Sequence, residues 1–178
     1  MYAIMYNRHQ EAISTLLGAG VDLRAHTDFG ATPLMIAAAM NPSPELISTL
    51  LRAGADLKAR DTAGVTVMMH AVQYNSSSQI IRRLLQAGAD IESLDKDGRT
   101  VLMYAVQSNS NSEVIGTLLQ AGADPGAQDE NGMTALMYEA RYNRSPSVVA
   151  MLLQASADIN DTGRGPAREP RSLAASPD

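Results

Sequence analysis

The stretch Leu84-Leu85-Gln86-Ala87-Gly88-Ala89-Asp90, "LLQAGAD", returns letter for letter at 118–124. Near copies stand at 16–22 (LLGAGVD), 50–56 (LLRAGAD) and 152–158 (LLQASAD), so five versions follow one another at intervals of 34 residues. A second set of glycines, Gly30, Gly64, Gly98 and Gly132, keeps the same period and runs in step with Gly20, Gly54, Gly88 and Gly122. Two glycines per period imply two chain reversals, with two short segments of helical apolar spacing between them.

The third period shows how each segment is specified. Asp61-Thr62-Ala63-Gly64 has the residue preferences of a type I turn, with Asp first and Gly fourth. Thr66 is placed to cap a first helix that runs to about Tyr74. In the second period Pro33 follows the matching Thr32, at the position where a helix accepts proline. Asn75 falls where that helix stops, as do Asn7, Asn41, Asn109 and Asn143, and the expectation is a left-handed cap. A second helix, roughly Gln79–Ala87, carries Ile80, Ile81, Leu84 and Leu85 as one apolar stripe, and Gly88 ends it. Leu-Leu is thus the buried end of the second helix, Ala-Gly its cap, and Ala-Asp the step into the next unit. Neither helix is long enough to stand alone, so each unit must bury its apolar faces against its neighbours.

The run 95–124, DKDGRTVLMYAVQSNSNSEVIGTLLQAGAD, resembles an ankyrin repeat. The shared features are the D-x-x-G-x-T start, the Leu-x-x-Ala first helix, the V-I-x-x-L-L second helix and the G-A-D close. A tetratricopeptide repeat has the same period, but its helices are longer and it has no turn bearing Asp-x-x-Gly-x-Thr. The resemblance implies an all-α solenoid of about four and a half helix-turn-helix units joined by β-turn loops, covering residues 1–160. The units fall at about 1–26, 27–60, 61–94, 95–128 and 129–160. Ankyrin units usually have 33 residues. The extra one lies between the helices, in Pro42–Pro44, Ser76–Ser78, Ser110–Ser112 and Ser145–Pro146, where it is expected to leave the stack undisturbed. The family's T-P-L-H histidine is replaced by Met35, Met69, Met103 and Met137, which implies packing in place of a hydrogen-bonding side chain.

The two ends differ. Met1 aligns with Met35, so the chain begins inside a first helix with the apolar run Met1-Tyr2-Ala3-Ile4-Met5-Tyr6. That run suggests either a longer array or an end that docks. In the fifth unit Glu139 stands where earlier units have Ala37, Ala71 and Ala105, and Ser156 replaces the capping glycine. Both changes are expected of a terminal cap whose outer face, with Glu139, meets water. Residues 161–178, rich in Pro, Gly, Arg and Ser, are expected to be a disordered tail.

Composition bounds the function. The 178 residues are 45% apolar but only 4% aromatic, with no Trp and ten Met, so the core is aliphatic. A net charge of −5 argues against a nucleic-acid or anionic-membrane binder, and no apolar run reaches the ~18 residues of a membrane span. The absence of Cys rules out disulfides and suits a reducing compartment; with no signal-peptide pattern, a cytoplasmic location is expected. His9, His26 and His70 occupy unrelated positions in the repeat and form no metal motif. Gly18-Ala19-Gly20 ends a helix, so it is no phosphate loop, and Asp95-Lys96-Asp97-Gly98 lacks the remaining ligands of a calcium loop. No catalytic motif, metal site or cofactor is expected.

What remains is a surface. The resemblance implies a non-catalytic module that binds another protein, of unknown identity, in a concave groove of turn tips and first helices. By register the tips are Asp28, Phe29, Thr62, Ala63, Lys96, Asp97, Glu130 and Asn131. The positions after each glycine are Ala31, Val65, Arg99 and Met133. Late in the first helices come Ala39, Met40, Gln73, Tyr74, Gln107, Ser108, Arg141 and Tyr142. These vary from unit to unit while the framework does not. The expected state is a monomer, with end-on contact through the apolar N-terminal stretch as a variant. The alternative is a fragment of a longer ankyrin array whose catalytic or effector domain lies outside this chain.

Overall fold

A computed structural model describes Gly18, Gly20 and residues 22–108 and 111–162, the last five as backbone. The expectations for Met1–Tyr6, His9 and the tail beyond 162 therefore lie outside the described residues. Among those described, eight helices alternate in pairs. They are α1 (Pro33–Met40) and α2 (Pro44–Arg52), α3 (Val67–Tyr74) and α4 (Ser78–Gln86), α5 (Val101–Ser108) and α6 (Ser112–Gln120), α7 (Ala135–Tyr142) and α8 (Pro146–Thr162). Each first helix packs on the next first helix and on its own partner, and each second helix packs on the next second helix. The chain is an all-α repeat solenoid. Its core is continuous from Leu34 to Leu152 and is built from Leu, Ile, Val, Ala and the buried Met35, Met68, Met69 and Met103.

The turns hold the stack in register. Gly64 N–H donates to Asp61 O at 2.9 Å, closing the turn, and antiparallel bridges join Arg60 to Thr66 and Leu94 to Thr100. Successive tips are tied by backbone bonds of 3.0 Å each: Thr62 N–H to Phe29 O, Lys96 N–H to Ala63 O, Glu130 N–H to Asp97 O. Glycine is required here for two reasons. Gly98 has φ +75°, and a Cβ on it would stand 3.1 Å from Glu130 N in the next tip.

Four expectations need correction. Asn7 and Asn109 lie outside the described residues, and Asn41, Asn75 and Asn143 are not left-handed: Asn75 has φ −123°, ψ 122°, and Asn41 is similarly extended. Their side chains do the capping instead. Asn75 Nδ2 donates to Ala38 O (3.1 Å) and Asn41 O (3.0 Å) in the preceding unit, while its Oδ1 accepts Ser77 N–H (3.0 Å). The inter-helix loop with the extra residue is thus a second seam between units, and Asn111 Nδ2 continues it to Ser76 O at 2.8 Å.

Glu139 does not face water; it is fully buried. Its Oε1 accepts Ser145 N–H at 2.7 Å, taking over the role that Asn41 and Asn75 play for Ser43 and Ser77. Met137 of that unit is exposed, whereas its counterparts Met35, Met69 and Met103 are buried.

Of the methionines replacing the family histidine, Met35, Met69 and Met103 pack, but they also bond. Thr32, Thr66 and Thr100 N–H each donate to Met35, Met69 and Met103 Sδ at 3.4 Å, while the Thr hydroxyl accepts the Met N–H. This is a capping box with sulfur as the weak acceptor. Finally, α8 continues through Thr162 because Ser156 offers no left-handed cap; its Oγ donates back to Leu152 O at 2.8 Å. Positions 161–162 are therefore helical, not tail.

Candidate protein-binding surface

Each described turn from the third unit on opens with an aspartate that organises it. Asp95 Oδ1 accepts the N–H groups of Asp97 (2.9 Å) and Arg99 (2.8 Å), and Asp61 and Asp129 do the same in their units. The second oxygen reaches the first helix. It meets His70 Nε2 at 2.9 Å from Asp61, Tyr104 Oη at 2.7 Å from Asp95, and Tyr138 Oη at 2.7 Å from Asp129. In the second unit Thr27 takes the aspartate's place and Ile36 the ring's. The pairing at a nine-residue spacing is legible in the sequence, but only once both partners are read together.

These rings place the helix face. Tyr74 lies one turn beyond His70 and stacks on it (6.3 Å, 28°), and Tyr142 stacks likewise on Tyr138 (6.0 Å, 20°). Two ladders, Asp61–His70–Tyr74 and Asp129–Tyr138–Tyr142, therefore run from turn to late helix on the side the hairpins occupy. In the unit between, Arg99 lies 4.8 Å over the Tyr104 ring and is paired with Asp95 (2.8 Å) and Asp97 (3.2 Å). Arg141 covers Tyr142 at 5.4 Å.

Electrostatics fit structural roles for the buried members. Burial pushes the Asp95 carboxyl up, but the Tyr104 hydroxyl, the Arg99 and Asp97 N–H groups and the Arg99 guanidinium outweigh it and hold it low. Asp129 is held low in the same way, with the Met133 N–H as the main compensation for burial. Burial and the bond to Asp95 push Tyr104 up, and burial and Asp129 push Tyr138 up to about 12.

Of the positions assigned by register, Asp28, Phe29, Met40, Thr62, Tyr74, Lys96, Asp97, Glu130, Asn131, Arg141 and Tyr142 are exposed. Ala31, Gln73, Arg99, Gln107 and Met133 are half-buried. Val65 is only 6% exposed and belongs to the core, because the hairpin's return strand turns this branched apolar side chain inward; it offers no side chain to a partner. Phe29 (78% exposed), Tyr74 (62%), Met40 (54%) and Tyr142 (47%) are large apolar groups left in solvent. Among the described residues no group of His, Asp and Glu is arranged to hold a metal, and no helix is long and apolar enough to cross a membrane.

A family model described as ankyrin repeats in three copies matches residues 1–95, 36–129 and 69–163. The chain belongs to the ankyrin repeat family. Ankyrin repeats are in general protein–protein interaction modules and in general non-catalytic. Among curated proteins none matches this sequence. Within the ankyrin frame one row, His70, Tyr104 and Tyr138, bonds to the turns, and a second, Tyr74 and Tyr142, stacks on His70 and Tyr138. The first of these rows was missed by register assignment, which took the replaced T-P-L-H histidine as the loss of a polar contact. A polar contact is made one residue along the helix, where His70, Tyr104 and Tyr138 bond to the turn aspartates.

Proposed function

We propose that this ankyrin array binds a partner protein in the concave groove formed by its turn tips and the late ends of its first helices. The observation that carries the reading is the exposure of Phe29, Met40, Tyr74 and Tyr142 at framework-matched positions. Large apolar side chains scattered singly need no explanation, but these are fixed at two rows of the repeat. Tyr74 and Tyr142 are additionally held by stacking on rings that are anchored to turn aspartates, so little side-chain freedom is lost on binding. Mixed charges at Lys96, Asp97, Glu130 and Arg141 would orient the partner. A cytoplasmic location is consistent with the absence of cysteine.

The test is capture from the source cell's lysate with the full chain and with a Phe29→Ala, Tyr74→Ala, Tyr142→Ala variant of unchanged helicity. A protein retained by the original and lost by the variant supports the groove. Equal retention moves the interface elsewhere on the array.

A further inference from the structure

Away from that groove, a cleft of about 470 Å³ opens between the loop after α2 and the loop after α4, and Lys58, Arg60, Met68, Asp90 and Ser93 help to line it. One unit further on, the same register positions line a cleft of only about 150 Å³. There Glu92 and Leu94 replace Lys58 and Arg60, and Ala127 replaces Ser93. The geometry recurs in that next unit and the positive charge does not; one unit back, Arg24 and His26 hold the Lys58 and Arg60 positions, so the Arg60 guanidinium is what this unit adds.

Arg60 is held in place by neutral groups. Its Nη1 donates to Gly64 O (2.9 Å) and Leu94 O (2.6 Å), and its Nη2 to Ser93 Oγ (3.3 Å). Among the described residues no carboxylate lies within ion-pair distance of Arg60 or Lys58. Asp90, the acid of the cleft, has both oxygens engaged, with Glu92 N–H at 3.0 Å and the Ser93 hydroxyl at 2.8 Å. A guanidinium has five N–H groups. Three are used here, which leaves Nε–H and one hydrogen on Nη2, neighbouring donors that match the two oxygens of a carboxylate. Arg60 also borders a second cleft, of about 480 Å³, with His26, Asp28 and Thr62.

We propose that this cleft is a carboxylate-binding site, in which Arg60 supplies the paired hydrogen bonds and Lys58 a second positive charge. It stands independently of the groove. The carboxylate is the side chain of an acidic residue in a bound polypeptide or a free small acid, since both present the same two oxygens to Arg60.

The experiment is an NMR titration of the full ¹⁵N-labelled chain that follows the Arg60 Nε–H signal. The probes are the α-amide of N-acetylglutamate, succinate, inorganic phosphate and the neutral α-amide of N-acetylglutamine, at matched ionic strength. A saturable shift is expected with the first two and not with the glutamine analogue; the tighter of the two identifies the source. Arg60 also ties two hairpins, so Lys58→Glu is the decisive variant. It should leave the unfolding curve in place and raise the midpoint by about tenfold or more. A non-saturating shift, tighter binding of phosphate, or a midpoint that ignores Lys58→Glu overturns the proposal.

Discussion

The Tyr104 hydroxyl donates to Asp95 Oδ2 at 2.7 Å, and the same oxygen accepts Arg99 Nε at 2.8 Å. One buried carboxylate therefore joins a turn, a helix and a cation, and its other oxygen closes the turn itself. Tyr104→Phe leaves that carboxylate short of one strong donor. The expected cost is about 1.5–3 kcal/mol, the usual range for a hydrogen bond to a charged group, read from urea unfolding. An unchanged midpoint would show that the Tyr104–Asp95 bond does not stabilise the array.

The same group makes stability depend on pH in a stated direction. The Asp95 carboxyl is held below its ordinary value in the folded chain, so its contribution is present above ~4 and is lost as pH falls through the folded value. Asp95→Asn should be less stable than the original near neutrality, and the gap should close in acid. Tyr138 is raised to about 12, so its contribution is intact below ~10 and is lost as pH rises through about 12. Tyr138→Phe should flatten that alkaline limb in unfolding measured against pH.

Two glycines separate conformational strain from crowding. Gly98 and Gly132 both have positive φ, +75° and +71°, but only Gly98 has the next tip within contact of an added Cβ. Gly132→Ala should cost about 1–2 kcal/mol, the penalty of a left-handed L-residue. Gly98→Ala should cost more, since the Glu130 backbone must also move. Equal unfolding midpoints for the two variants would rule out the close approach as a constraint.

Asn75→Ala removes donors to Ala38 O and Asn41 O together with the acceptor for Ser77 N–H. A loss of about 1–3 kcal/mol is expected, since partly buried backbone groups are left unpaired. Because the lost bonds join two units, hydrogen exchange should rise at α1 and α2 as well as at the substituted loop. Exchange confined to that loop would show that it does not couple the units.

Much of the fold was legible because it is set by local chemistry repeated in phase. Thr66, Gly64 and the Ile80–Leu84 stripe each specify a cap, a turn or a buried face from neighbouring residues alone, and five repetitions make the pattern unambiguous. Packing between units decided what local rules could not. Asn75 tolerates a left-handed backbone, yet it is extended, because carbonyls of the unit before it lie within reach of its side chain. Glu139 looked like a residue for solvent, yet it is buried, because Ser145 N–H needs an acceptor there. Of the surface, the sequence by itself determined which positions vary, and so named Phe29, Tyr74 and Tyr142. Only the tertiary structure turned Val65 inward and set His70, Tyr104 and Tyr138 on their aspartates. A contact between residues nine apart forms only after a turn and a helix have been brought face to face.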